Sequence, residues 1–303
     1  MSVHTALAPA KVNLGLFVGP PRASDARHEL VSVMQSISLA DELTLQPAPA
    51  GVEDDEVLCP GVPGDPRENL AAAALRAFRA VTGWAAPPQR LQIDKRIPVA
   101  GGMAGGSADA AAALRLARHA SGLGDERLLL ELGGELGADV PAQIAPGRWL
   151  ARGVGERLRE LPTPAPFGLL VLPVAAGLST AAVFIEADRL ARIRDQSELE
   201  ELSERLAAAL AGGASLPADA QLLHNDLQQA AVSLSPEIEH TMDQARVIGA
   251  EMAMLSGSGP TVVGLFADTQ AAQRAAMQLS ERVPAPICAR PVDAQFARAR
   301  TLR

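Results

Sequence analysis

Pro98-Val99-Ala100-Gly101-Gly102-Met103-Ala104-Gly105-Gly106-Ser107-Ala108-Asp109-Ala110 is the stretch on which the reading of this chain turns. It lies between a predicted short strand, residues 91–97, and a predicted alanine-rich helix, residues 107–119. Glycines let the backbone bend and come close to a ligand, so several N–H groups can converge on one anion. The helix that follows adds the positive end of its dipole. Together these favour a di- or triphosphate. Three other motifs fail. A Walker A loop needs a lysine after its second spaced glycine; Gly101 and Gly106 have the spacing, but Ser107 stands at that position. The Rossmann pattern G-x-G-x-x-G does not fit this register. A nucleophile elbow needs glycines two positions either side of a serine, and around Ser107 one of those positions is Asp109.

The rest of the chain limits what that anion can belong to. With 303 residues, 48% hydrophobic and 20% charged, it can bury a sizeable core in two compact domains or one large one. The formal net charge of -8 argues against nucleic acid or an anionic membrane as partner, so an anionic ligand needs a local pocket of positive potential. Cys59 and Cys288 are too few for a disulfide framework or a four-thiolate zinc site and fit a reducing compartment. Residues 1–10 show no signal-peptide pattern. The apolar run 167–178 is too short to span a bilayer and contains Pro173. A cytoplasmic location is therefore expected. Of 27 basic residues only Lys11 and Lys95 are lysines. A compact ammonium suits a phosphate or a reacting hydroxyl in a way that a guanidinium does not. Asparagine is nearly as scarce, at Asn13, Asn69 and Asn225.

Residues 8–18 alternate as a strand does, which puts Lys11 and Asn13 on one face. More strand is predicted over 30–45, helices over 69–81 and 127–136, and a tight segment at Ala138-Asp139-Val140-Pro141. Pro162, Pro164 and Pro166 mark a linker, which divides the chain into 1–161 and 162–303. The second part has predicted helices over 180–190, 197–211 and 236–248. A strand–loop–strand unit, 251–266, follows around Ser256-Gly257-Ser258-Gly259; a helix from Thr269 and a strand over 287–291 come last.

The glycine-rich stretch resembles the central phosphate-binding motif of the GHMP kinases, the galacto-, homoserine, mevalonate and phosphomevalonate kinases. Ala8-Pro9-Ala10-Lys11-Val12-Asn13-Leu14, His28-Glu29-Leu30 and Leu136-Gly137-Ala138-Asp139-Val140-Pro141 match segments of the same family in order. So do Gly177-Leu178-Ser179-Thr180 with Phe184, Asn225-Asp226-Leu227 and Ser256-Gly257-Ser258-Gly259-Pro260. Within the family they resemble the branch that phosphorylates the 2-hydroxyl of 4-diphosphocytidyl-2-C-methyl-D-erythritol in the non-mevalonate route to isoprenoids. The resemblance spans the chain. It implies an α+β fold of two domains: an N-terminal ribosomal-protein-like domain with a left-handed crossover and a C-terminal ferredoxin-like domain, the site lying between them.

It also implies roles. Asp139 would take the proton of the attacking hydroxyl, and Lys11 would stand beside it and steady the transferring phosphoryl group. ATP would lie on Pro98, Val99, Ala100, Gly101, Gly102, Met103, Ala104, Gly105, Gly106, Ser107 and Ala108, with Asn69 and Lys95 lining the adenine pocket. Asn69 also reads as a helix cap. Ser107 is the candidate ligand of Mg²⁺, or else caps its helix. Asp109 reads as structural. Asn13, Arg27, His28, Thr180, Phe184 and Gly257 would hold a cytidylyl sugar-alcohol, with Phe184 stacking on the cytosine or packing in the core. The branch carries Gly-Tyr-His-Glu-Leu where this chain has Ala26-Arg27-His28-Glu29-Leu30, and the chain has no tyrosine at all. The planar guanidinium of Arg27 is the candidate replacement for that ring. A homoserine or mevalonate type of kinase, and a sensor without turnover, are the alternatives; monomer and homodimer both stay open.

Overall fold

The computed structural model describes residues 2–191 and 193–302. Its first part runs β1 (Val3–Pro21), β2 (His28–Pro47), β3 (Glu56–Leu58), α1 (Leu70–Thr82), β4 (Gln89–Asp94), α2 (Gly105–Ser121), α3 (Glu126–Leu136), α4 (Val140–Ile144), β5 (Arg148–Gly153) and β6 (Arg157–Leu161). Then come β7 (Gly168–Leu172), α5 (Thr180–Arg189), α6 (Gln196–Leu210), α7 (Gln228–Leu234), α8 (Glu237–Val247), β8 (Met252–Leu255), β9 (Val262–Phe266), α9 (Thr269–Gln278), β10 (Ile287–Ala289) and β11 (Arg300–Leu302).

β1 and β2 form a long antiparallel pair interrupted by register shifts, one of them between Pro9 and Lys11. The larger sheet has the order β11-β1-β2-β4-β3, with β5 on β2 and β6 on β5. β3 and β4 are parallel and joined through α1, whose cap Asn69 accepts a hydrogen bond from the Ala71 N–H. β1 is buried over almost its whole length, on both faces. Its apolar residues do not simply alternate with polar ones because each face meets something: α2 on one side, α6 and the second part of the chain on the other. The alanine run of α2 serves the same end. Ala108, Ala110, Ala111, Ala112 and Ala113 are fully buried, and their small side chains let α2 pack closely on β1 and α1.

The smaller sheet has the order β10-β7-β9-β8, antiparallel throughout. With α5 to α8 before β8 and α9 before β10, this is the strand–helix–strand–strand–helix–strand succession of a ferredoxin-like unit. Residue 161 ends β6 and residue 162 opens the segment that leads to β7; the two strands belong to different sheets. The two parts nevertheless interlock. Leu199, Leu202, Leu206 and Leu210 of α6 lie in the core of the larger sheet, while Leu16 and Val18 of β1 lie in the core of the smaller one. β11 returns to pair with the start of β1.

One boundary differs in a way that matters for the site. α2 begins at Gly105, not Ser107, and its cap is Ala104 at φ 54° with no side-chain hydrogen bond. The backbone closes the first turn without a capping hydroxyl, so Ser107 is inside the helix and does not cap it.

Candidate active site

Lys11 and Asn13 are two residues apart on a strand, so their side chains leave the same face. The Lys11 ammonium donates to Asn13 Oδ1 at 2.8 Å, and Asn13 Nδ2 donates to Ser32 Oγ at 2.7 Å. The Ser32 hydroxyl in turn donates to the Gly15 carbonyl at 2.7 Å. This chain fixes the amide of Asn13 with its oxygen toward the lysine. An ammonium has three N–H donors. With one given to Asn13, others remain for Asp139, whose Oδ2 is 3.9 Å away, and for a ligand. Asp139 stands at the N-terminal edge of α4, and its side chain is about a third exposed, at 35%. The backbone N–H of Lys11 donates to the Met103 carbonyl at 3.1 Å, which ties this strand to the glycine loop.

The loop itself has Ala100 at φ 56°, Gly102 at 73° and Ala104 at 54°. Left-handed residues alternating with others turn successive N–H groups toward one side, a shape that holds anions. A cleft of about 520 Å³ opens there, lined by every residue from Pro98 to Gly106 together with Asn69, Lys95 and Asp109. Asn69 caps α1 and also lines this cleft. Ser107 and Ala108 are not part of that lining. Ala108 is fully buried in the core and its N–H is given to the Ala104 carbonyl, so it is removed from the nucleotide-binding set.

Lys95 is not a free charge. Its ammonium is held by Asp41 and, at 2.8 Å, by Asp109. Asp41 also accepts the backbone N–H groups of Arg96 and Ile97 at 2.6 and 2.8 Å. Burial opposes the charge on Lys95, but the two carboxylates outweigh it and the ammonium is harder to deprotonate than usual. Burial pushes the Asp109 carboxyl up to about 7, with Asp41 adding to the rise and Lys95 opposing it. Asp109 Oδ1 is buried with no hydrogen-bond partner. The cluster sits directly under the start of α2, since a Cβ on Gly105 would lie 3.3 Å from Lys95 Nζ.

Of the remaining predicted residues, Arg27 and His28 lie at the turn from β1 into β2, and Thr180 and Phe184 on α5. His28 and Phe184 stack on each other, ring centroids 5.3 Å apart at 26°. Phe184 thus packs against a ring of its own chain. His28 Nδ1 lies 2.8 Å from the Gly19 carbonyl, which can only accept, so Nδ1 carries the proton and Nε2 faces Asp188 Oδ2 at 3.4 Å. Arg27 Nε donates to Asp25 at 2.9 Å, and its side chain is 58% exposed. Thr180 Oγ1 pairs with Ser258 Oγ at 2.9 Å, which joins the start of α5 to the loop between β8 and β9.

That loop and the glycine loop interlock. A Cβ on Gly102 would lie 2.5 Å from the Ser256 carbonyl oxygen and 2.8 Å from that of Gly259. A Cβ on Gly257, at φ 57°, would lie 2.9 Å from the Gly102 carbonyl oxygen and 3.5 Å from Asn13 Oδ1. Gly257 is thereby brought beside Lys11 and Asn13 across 244 residues of chain, between positions 13 and 257. Ser32 and Asp41, which hold Asn13 and Lys95, were not singled out from the sequence. Neither sits in a motif; the pairing of β1 with β2 brings Ser32 near Asn13, and the pairing of β2 with β4 brings Asp41 near Lys95.

A phosphate loop, a lone lysine beside an exposed carboxylate, and a second glycine loop packed on the first make a site that can hold a polyphosphate against a hydroxyl. The family described as GHMP kinases N terminal domain matches residues 69–147, and that described as GHMP kinases C terminal matches residues 190–285. The chain belongs to the GHMP kinase family. It is 45% identical over 285 residues to the 4-diphosphocytidyl-2-C-methyl-D-erythritol kinase of Streptomyces coelicolor, covering 90% of each chain. With the enzyme of the same name from Corynebacterium diphtheriae the identity is 40% over 304 residues, covering 95% of this chain and 96% of the other. A crystal structure of a 4-(cytidine 5'-diphospho)-2C-methyl-D-erythritol kinase matches with a TM-score of 0.73 at 32% identity, over 98% of this chain and 97% of that one. The homoserine kinase of Cytophaga hutchinsonii matches with the same TM-score of 0.73 over 99% and 97% of the two chains, but at 17% identity, which shows the fold alone. As a GHMP kinase the chain is a small-molecule kinase of two-domain α+β fold, and it uses ATP. Among the described residues no group of three or more His, Cys, Asp or Glu could hold a metal ion, and no helix is long and apolar enough to cross a membrane.

Proposed function

We propose that this GHMP kinase transfers the γ-phosphoryl group of ATP to the 2-hydroxyl of 4-diphosphocytidyl-2-C-methyl-D-erythritol, in the cytoplasm. The observation that carries the reading is the Lys11–Asn13–Asp139 cluster beside the Met103 carbonyl of the phosphate loop. The acceptor is taken from relatives 40–45% identical over most of their length.

Phosphoryl transfer needs a held triphosphate, a positioned hydroxyl and compensation of charge. The backbone of residues 98–106 and the start of α2 supply the first. Asp139 takes the hydroxyl proton as the new O–P bond forms and the bond from the γ-phosphorus to the bridging oxygen breaks, leaving ADP. Lys11, oriented by Asn13, stabilises the charge on the transferring group. His28, Phe184, Thr180 and Gly257 line the acceptor side, where a cytidine diphosphate group would lie along the stacked rings and the second loop. Mg²⁺ fits as an ion that enters on the nucleotide, since Mg²⁺ binds through phosphates, water and one or two protein oxygens. The Ser107 hydroxyl, next in sequence to Gly106 of the cleft lining, is the protein oxygen that would hold it. When bound it supplies charge neutralisation on the phosphate oxygens.

The test is a coupled assay of ADP release by the purified chain with three acceptors: the cytidylyl methylerythritol, homoserine and mevalonate. Turnover is expected with the first alone. Turnover with another acceptor and none with the first overturns the reading.

A further inference from the structure

Resting on the kinase reading above, we infer that Asn225 is a positioning residue for the reaction, acting through the loop between β8 and β9 to set the conformation of the phosphate loop. Asn225 is buried, 2% exposed, and its amide is fully committed. Nδ2 donates to two carbonyls of that loop, Leu255 at 2.9 Å and Gly257 at 2.7 Å, and Oδ1 accepts the Leu227 N–H at 2.9 Å. No backbone N–H satisfies both carbonyls at once; one side-chain NH₂ with two donors does. The carbonyl of Gly257 is thus held on one side, while a Cβ at Gly257 would lie 2.9 Å from the Gly102 carbonyl oxygen and 3.5 Å from Asn13 Oδ1. The Ser256 hydroxyl adds a weak bond to the Gly102 carbonyl at 3.3 Å.

The segment that carries Asn225 is itself anchored to the strand that carries Lys11. The Leu16 N–H donates to the His224 carbonyl at 2.8 Å, and the Asp226 N–H donates to the Leu16 carbonyl at 2.9 Å. Asp226 Oδ2 takes the Val18 N–H at 2.9 Å, and Arg194 clamps the same carboxylate at 2.7 and 2.8 Å. Asn225 therefore stands where β1, the second loop and, through Gly257, the phosphate loop are held in register. It touches no part of the cleft lined by residues 98–106. Its effect on the reaction runs through Gly257.

Asn225→Asp separates this role from a merely structural one. Ionised, the carboxylate would face two carbonyl oxygens with no donor and push the loop away. Protonated, its O–H donates to one of them and restores part of the clamp. Burial and the facing carbonyls both raise the pKa of such a carboxyl, so the lost function returns as the pH falls. His224, Asp226, Arg194 and Glu198 line the cavity on the outer side of Asn225, and Lys11 is reached through Asn13. All of these are common to the wild type, so the difference between the two proteins isolates position 225.

The experiment measures the affinity for a non-hydrolysable ATP analogue by calorimetry, and kcat and KM with the cytidylyl acceptor, at pH 5.5 and pH 8 for wild type, Asn225→Asp and Asn225→Leu. Thermal melts at each pH verify that the variants are folded. At pH 8, N225D should bind the analogue about tenfold more weakly or worse, regaining most of this at pH 5.5, while N225L is weakened equally at both. A ratio of N225D to wild-type affinity that is the same at both pH values, or an N225L indistinguishable from wild type, overturns the inference. The binding arm does not depend on the acceptor. Absence of wild-type turnover with the cytidylyl substrate would sink the proposed function and leave the Asn225 result standing.

Discussion

Asp139 and Lys11 are 3.9 Å apart, too far for a tight hydrogen bond and close enough to share a reacting group between them. Replacing Asp139 by Asn should lower kcat by about 10²-fold or more, the range for a lost general base, with the ATP-analogue affinity within a few-fold of wild type; full activity would exclude the assignment. A second expectation concerns alanines. Ala26, Ala100 and Ala104 have φ of 58°, 56° and 54°, a region in which an L-residue is strained by roughly 1–2 kcal/mol. Ala26 is exposed in the turn between β1 and β2. Ala26→Gly should stabilise the protein by about 0.5–1 kcal/mol, net of the entropy that glycine adds to the unfolded chain, as a rise in the urea midpoint. A third concerns Asp109. Its carboxyl is raised from 3.8 to about 7, so its favourable contribution is complete below about pH 4 and is lost as the pH rises through 7. The stability of wild type relative to Asp109→Asn should therefore fall between pH 4.5 and pH 7.5; a difference that is flat in urea titrations across that window contradicts it.

Two glycine loops that press their backbones together leave no room for a side chain. Gly102 lies at φ 73° with Ser256 O only 2.5 Å from where a Cβ would be. Gly102→Ala should cost about 2–4 kcal/mol of stability, from backbone strain and overpacking together, and weaken nucleotide binding more than Gly106→Ala, where a Cβ meets nothing within 4 Å. At this scale the sequence was legible where residue type forces geometry. Glycines before an alanine-rich run announced the tight loop that leads into α2, and Asn69 announced a helix start. It was silent where a charged residue is buried. β5 and β6 read as Arg-Trp-Leu-Ala-Arg-Gly and Arg-Leu-Arg-Glu-Leu, with no apolar run longer than three residues, yet they extend the larger sheet. The Lys95 cluster was hidden for a similar reason. Asp41 is 54 residues away from Lys95, and nothing local signals that a carboxylate at position 41 will be fully buried. The stacking of His28 on Phe184 likewise joins two segments whose separation only the tertiary fold closes.

Across the whole molecule, Arg148 ties β5 to the segment after α6. It is 1% exposed at the start of β5 and reaches Gln35 at 2.8 Å and the carbonyls of Ala214 and Ser215 at 2.7 Å each. Burial draws its pKa down to about 10, which leaves it charged at neutral pH. Arg148→Ala would strand two carbonyls and an amide and should cost about 3–5 kcal/mol, seen as a lowered urea midpoint; a cost under about 1 kcal/mol would mean that the segment after α6 finds other partners. The larger lesson at this scale lies in β1. Ala6, Ala8, Ala10, Val12, Leu14 and Phe17 line one core, and Leu16 and Val18 line the other. For anyone dividing the gene, the linker prolines make a tempting place to cut, but a fragment beginning at 162 would lack Leu16 and Val18, and one ending at 161 would lack the four leucines of α6. Neither piece should be obtainable alone as a well-behaved product. The two should instead recover activity when produced together, which makes the chain a natural candidate for a split reporter whose signal depends on reunion of its halves.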